Sequence, residues 1–304
     1  MTDRQLASRN AMVDWQVAPA DYEIANYDEP KARYRQYVED FLATLPMKSL
    51  KKKTFVTIST NVLCAVTKSS KDTLDPIERD IYLPLEIALT KWSVAEADKS
   101  SEDRTLSTKV WILDPGAPPF GGSVGWAKDH KKLHKINYDK FKASDTYIER
   151  DLQAVVKEIN GFLTPDRLVF STQLRNCRQD LGSLKWLNRE TNSKMKPIKV
   201  YSIEDLYVVL IRRMVPDCVL QAHIGQGIAR YRMEYTSNLY ENKVKCQYHQ
   251  DIVKEDPDND CGNCASAVAI CYSQALLNDI TYFTQCTTGD ALEDINQQFN
   301  KMTV

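Results

Sequence analysis

Residues 55–66 read FVTISTNVLCAV, twelve positions dense in β-branched side chains and free of glycine and proline. Such a run predicts a strand near the middle of a sheet, where its apolar side chains can be covered. A chain that carries it must supply partner strands, and helices to shield them.

The segments that follow are read in those terms. Pro84 has a fixed φ suited to the first turn of a helix, and helix formers continue through LEIALTKWSVAEA, so a helix is predicted there with Glu86 near its N-terminus. LSTKVWILD alternates Leu106, Thr108, Val110 and Ile112 and predicts a strand. It runs into the Pro/Gly-rich PGAPPFGGSVG, a long irregular loop that delivers WAKDHKKLHKIN. Long loops inside compact domains are uncommon and disproportionately functional. The stripe Ile148, Leu152, Val155, Val156 and Ile159 predicts a helix, and RLVFS and IKVYS predict short strands. Ser202 followed by Asp205 resembles a capping box that opens the helix IEDLYVVLIRRM. Ahead of the first strand, Val38, Phe41, Leu42 and Leu45 space a helix ended by Pro46, behind a polar arm over residues 1–28. ASAVAICYSQALLNDI predicts an apolar helix beside Cys264, and the residues after Thr287 are polar. This alternation implies an α/β fold, a mixed or parallel sheet with helices on both faces.

Several function classes drop out early. No stretch of about 18 apolar residues occurs, and the first residues lack the apolar core of a signal peptide, so neither secretion nor membrane insertion is expected. Forty basic residues against forty-one acidic ones leave a net charge of -1, so contact with nucleic acid requires a local patch. Eight cysteines in such a chain point to a reducing compartment, where grouped thiols suggest metal rather than disulfides. Cys64, Cys177, Cys218, Cys271 and Cys286 stand alone and are read as buried free thiols.

Four residues near the C-terminus are grouped. Cys246 and His249 form a C-x-x-H pair, and Cys261 and Cys264 form a C-x-x-C pair after eleven intervening residues. Thiolate and imidazole suit zinc, and a two-residue gap lets the backbone turn both side chains onto one ion. Read locally, these four make a closed structural knuckle with no open position for water.

The ordered set ISTNVLC, PLEIALTKWSV, DPGAPPFGGSVGWAKDHKKLHKIN and KCQYH resembles the Maelstrom domain of the PIWI-interacting RNA pathway, over about residues 50–285. The resemblance implies a ribonuclease H-like mixed central sheet flanked by helices, related to the DEDD exonucleases, with a zinc-stapled C-terminal helical segment. It divides the chain into an arm and helix (1–49), the domain (50–287) and a tail (288–304). It also implies a Glu-Cys-His-Cys zinc set, which falls on Glu86, Cys246, His249 and Cys264, with Cys261 the alternative ligand that the local reading prefers. The two readings differ in whether a distant carboxylate replaces one thiol, and the family set is favoured here. The role implied is transposon silencing in the germline, in the cytoplasm (perinuclear granules) and the nucleus, with Argonaute and PIWI-pathway proteins as partners. The HMG box common in animal members is not expected, since one convincing helix precedes the first strand, and DNA architecture is therefore not expected either.

A two-metal exonuclease needs clustered carboxylates on the first strand, where this chain offers Thr57, Ser59 and Asn61. That mechanism is not expected, and Asp72, Asp75 and Asp80 are read as solvated loop acids. The resemblance does imply single-stranded RNA binding and an endonuclease activity whose catalytic residues do not transfer. Lys128, His130, Lys131, Lys132, His134 and Lys135, flanked by Trp126 and Tyr138, form the candidate RNA contact, because basic groups with aromatic neighbours suit phosphates and bases together. His130 and His134 are candidate acid and base. His223 is read as an ordinary polar residue.

Overall fold

In the computed structural model, the residues described are 29–67, 80–118, 122–141, 146–173, 176–192, 195, 198–215, 225–237, 244–257 and 263–285. Cys218, Cys261, Cys286, His223, Asp72, Asp75, the N-terminal arm and the C-terminal tail lie outside them. In chain order the elements are α1 (Glu29–Ala43), α2 (Met47–Lys52), β1 (Thr54–Thr67), β2 (Asp80–Ser93), β3 (Ser107–Leu113) and α3 (Gly122–His134). They continue with β4 (Ile148–Glu149), α4 (Leu152–Phe162), β5 (Leu168–Ser171), α5 (Cys177–Glu190), β6 (Lys199–Ser202) and α6 (Ile203–Met214). The last three are α7 (Gln226–Ser237), α8 (Gln247–Glu255) and α9 (Ala265–Gln285).

The six strands form one sheet in the order β4-β3-β2-β1-β5-β6. β1, β2 and β3 make an antiparallel meander, and β5 and β6 add in parallel on the far side of β1. This is the mixed ribonuclease H-like sheet expected above, with the β-branched run of β1 in its interior. One face is covered by α1, α6, α7 and α9 around Phe55, Trp92, Phe170 and Tyr207. The other is covered by α3, α4 and α5 around Val56, Ile58, Leu85, Ile87, Ile159 and Trp186. Both faces of β1 and β2 are therefore dry, as a central strand requires.

Three segments depart from expectation, each for a physical reason. The segment after Pro84 is strand β2, not a helix. Leu85, Ile87 and Leu89 face one layer while Glu86, Ala88 and Thr90 face the other, all buried. Pairing on both sides, with β1 and β3, overrides the helical preference of Leu, Ala and Lys. Pro84 is tolerated because it sits opposite Val62, where the register of the β1–β2 ladder shifts. The basic segment WAKDHKKLH is likewise helix α3, not loop. Ile148 is on β4, paired with Ile112, and α4 begins only after Asp151, whose carboxylate accepts the Ala154 N–H at 3.0 Å. Ser202 does cap α6, accepting from Glu204 N at 3.1 Å.

Cys64, Cys177 and Cys271 are buried and outside any disulfide, and Cys177 Sγ donates to the Gln173 carbonyl at 3.7 Å. Among the described residues no helix is long and apolar enough to cross a membrane.

α5 approaches β2 so closely that a Cβ on Gly182 would stand 2.4 Å from the ring of Tyr82. Gly161 in α4 has open space at the same position. Gly182→Ala is expected to destabilise the fold by about 1–3 kcal/mol through overpacking, whereas Gly161→Ala stabilises it by about 0.5 kcal/mol through helix propensity. Thermal melting of both variants decides this; equal shifts would mean that the close packing of α5 on Tyr82 is not rigid.

Candidate metal centre

Glu86 lies on the α9 side of β2, opposite Asn61 of β1 and Ile112 of β3. Ala88, Ala265 and Ala269 line the contact beside it, and these small side chains let α9 lie close on the sheet. Cys246 is the N-cap of α8 and His249 follows in its first turn, so three residues of helical spacing bring thiol and imidazole onto one face. Cys264 immediately precedes α9. Strand, helix start and helix approach thus meet at one point.

There the ligand atoms of Glu86, Cys246, His249 and Cys264 lie within 4.8 Å of one another, with all four residues buried. Glu86 Oε1 is 3.4 Å from Cys246 Sγ, 3.5 Å from Cys264 Sγ and 3.7 Å from His249 Nδ1. Cys246 Sγ is 3.1 Å from His249 Nδ1. Bonds of the lengths zinc makes to S, N and O, about 2.0–2.3 Å, give a tetrahedron with edges of about 3.3–3.8 Å. The four donors are spaced to hold a metal ion. The other carboxylate oxygen, Oε2, accepts from Asn61 Nδ2 at 2.7 Å and Ala265 N at 2.9 Å, which aims Oε1 at the sulfurs. Asn61 also donates to the Asn263 carbonyl, and Cys246 N donates to Cys264 Sγ at 3.3 Å. His249 Nε2 donates to the His134 carbonyl at 2.8 Å, so Nδ1 is the nitrogen presented to the cluster.

The electrostatics favour a cation. Burial, then the Cys264 charge, push the Glu86 carboxyl up to about 7, against His249 and the bonds from Ala265 and Asn61. Cys246 is pushed well up by its hydrogen bond to Cys264 and by burial, and the same bond holds Cys264 low. Two thiols and a carboxyl packed together in a dry interior cannot all ionise unaided; a divalent cation among them reverses that, because its charge favours each deprotonated ligand.

A family model described as Maelstrom, a piRNA pathway germ-plasm component, matches residues 76–282, more than half of the chain. The chain belongs to the Maelstrom domain family. A search of curated proteins finds no match. The span of the Maelstrom match contains all four clustered residues and the basic helix α3, and membership gives the chain a general role in the piRNA pathway.

Within this Maelstrom domain Glu86 is neither a first-turn helix residue nor solvated, as its local sequence suggests, but a fully buried strand residue. Cys261 lies outside the described residues. Of the basic set, Lys128 and Lys132 are exposed on α3 and Lys135 is partly exposed just beyond it. Lys131 is held by Asn137 at 2.6 Å and Asp139 at 2.7 Å, and lies over the Tyr138 ring. Lys132 pairs with Asp129 at 2.9 Å in an exposed bridge of little strength. His130 stacks on Trp126 with ring centroids 3.4 Å apart, and burial lowers its pKa. His134 does not face solvent. It is buried, its Nδ1 accepts from Ile136 N at 3.1 Å, and burial foremost lowers its pKa to about 3.

The polar residues of β1 are used internally. Thr57 Oγ1 accepts from Trp92 Nε1 at 2.9 Å and bonds Ser273 of α9 at 2.8 Å, while Asn61 holds Glu86. Asn61 and Asp180 were not legible as site residues; their partners are distant in sequence and leave no spacing signal. Asp180, in the first turn of α5, accepts from Thr60 Oγ1 at 2.7 Å and Ser171 Oγ at 2.5 Å, joining the middle of β1 to the carboxyl end of the parallel strand β5. Burial, opposed by those bonds, raises its pKa to about 7. A raised carboxyl favours folding fully below its unfolded value, about pH 4, and loses that contribution as pH rises through about 7. Asp180→Asn should therefore flatten the fall in stability between those limits. Urea midpoints across that range for wild type and variant test this, and parallel curves would rule it out.

Proposed function

We propose that this chain acts in PIWI-interacting RNA silencing of transposons as a zinc-stapled domain that binds single-stranded RNA through α3. The observation that carries the reading is the convergence of Glu86, Cys246, His249 and Cys264 from three separated segments onto one buried point. Two thiolates and an imidazole select zinc over magnesium or calcium. Four buried protein ligands make a closed, structural site, and a bound zinc ion would supply a crosslink between the body of the sheet and the α8–α9 segment. The chain's own share is to aim the ligands: Asn61 and Ala265 N fix the carboxylate, and the His134 carbonyl fixes the imidazole tautomer.

Metal analysis beside substitutions tests the ligand set. Wild type should carry one zinc per chain, and Glu86→Gln should lower its zinc affinity by about 10-fold or more and lower the melting temperature. Cys261→Ser should leave both unchanged. The reverse pattern would assign the ion to a local knuckle.

The surface of α3 supports RNA contact. Lys128, Lys132 and Leu133 are exposed on α3 and Lys135 is partly exposed just beyond it, and the Trp126–His130 stack lies on the same helix. Such a surface suits phosphates with an adjoining base-stacking element. Any non-canonical endonuclease chemistry would have to use groups other than the buried His134. Argonaute and PIWI-pathway proteins are the proposed partners, in perinuclear granules and the nucleus. The Lys128→Ala, Lys132→Ala, Lys135→Ala triple variant should weaken single-stranded RNA binding and lessen its log–log salt slope by about 2, with the melting temperature held. Unchanged affinity would favour the alternative, a protein-interaction scaffold with a catalytically dead nuclease-like fold. The near-neutral charge and the Asp129 and Asp139 partners of Lys132 and Lys131 favour that alternative.

A further inference from the structure

The carboxyl end of α3 has a conformation that its own sequence does not explain. Lys135, the residue after the helix, has φ of 55°, the left-handed region normally left to glycine. Such a residue persists only where its surroundings over-determine it. Here the surroundings include α8. Within the segment Lys135 N donates to the Lys131 carbonyl at 2.9 Å and Lys131 Nζ to Asn137 Oδ1 at 2.6 Å, and two further contacts come from neighbouring side chains of α8. The His134 carbonyl, one of the terminal carbonyls a helix cannot satisfy itself, accepts from His249 Nε2 at 2.8 Å. The Asn137 N–H donates to Tyr248 Oη at 3.2 Å. Between them Ile136 N donates to His134 Nδ1 at 3.1 Å, and the Ile136 side chain is fully buried.

His249 therefore works in two directions. Its Nδ1 faces the sulfurs and carboxylate of the metal centre and its Nε2 holds the end of α3, through one rigid ring with no exposure to solvent. From this geometry we propose that His249 and Tyr248 are positioning residues that couple metal occupancy to the order of α3. Filling the centre locks the ring, and the ring locks the turn that seats the helix and the lysines it carries. This rests on the metal reading given under Proposed function. It adds a consequence that reading does not contain: loss of the ion loosens the Gly122–Asn137 segment before the sheet it covers.

Hydrogen exchange on the full chain tests it, with zinc stoichiometry measured in the same samples. As a chelator withdraws zinc from wild type, amides of α3 and the following turn should exchange about tenfold faster. Those of α4, which covers the same face of the sheet, should hold. His249→Cys replaces the imidazole by a thiolate that can still ligate but has no Nε2–H; it should retain zinc and nevertheless show fast exchange in α3. Should His249→Cys fail to fold or to hold metal, Tyr248→Phe, which leaves all four ligands in place, should loosen residues 134–138 at full zinc. Unchanged protection of α3 in zinc-loaded Tyr248→Phe, or loss of α3 and α4 protection together on chelation, would overturn the coupling. A wild-type chain that binds no zinc would instead overturn the metal reading, and Tyr248→Phe would still report on the staple.

Discussion

A fully buried carboxylate in the middle of a sheet is the constraint from which much of this molecule can be understood. An acid at zero exposure must be neutralised, hydrogen-bonded or paired. Glu86 divides the task between its two oxygens: one is saturated by Asn61 and the Ala265 amide, and the other faces two sulfurs and an imidazole. Because these partners come from β1, α8 and the start of α9, satisfying one side chain fixes where α8 and α9 must lie on the sheet. The small residues Ala88, Ala265 and Ala269 complete the arrangement by letting α9 come close enough for its first amide to reach the acid.

The sheet was legible where side-chain type and burial agree. The β-branched run of β1, the alternation in β3 and the short apolar strands β5 and β6 follow from local composition, because each position's preference matches its place in the fold. β2 was not legible, for the opposite reason. Its Leu, Ala and Lys favour a helix and its Pro84 mimics a helix start, while the pairing on both sides that overrules them is visible only once β1 and β3 are in place. The helix α3 was hidden in the same way by the glycines and prolines just before it.

The centre shows a similar division. The C-x-x-H and C-x-x-C spacings are local and announce a metal-binding segment, whereas nothing within ten residues of Glu86 distinguishes it from a solvated acid. Only the family resemblance brought it to the set. The supporting groups were beyond reach altogether: Asn61 and the His134 carbonyl lie 25 and 115 residues from the side chains they orient. A backbone carbonyl moreover has no sequence identity to read.

The irregularity at Pro84 has a meaning that goes past accommodating an imino acid. Strand side chains alternate, so slipping β2 by a single residue exchanges its two faces. Glu86 would then enter the layer of Val56, Leu113 and Trp186, and Leu85 or Ile87 would be offered to the sulfurs. The ladder steps between Asn61 and Cys64, at the last paired positions before the acid. Whether this protein can take up an ion is in that sense written in the phase of one strand, and an insertion or deletion between Leu83 and Glu86 would erase the capacity without touching any ligand.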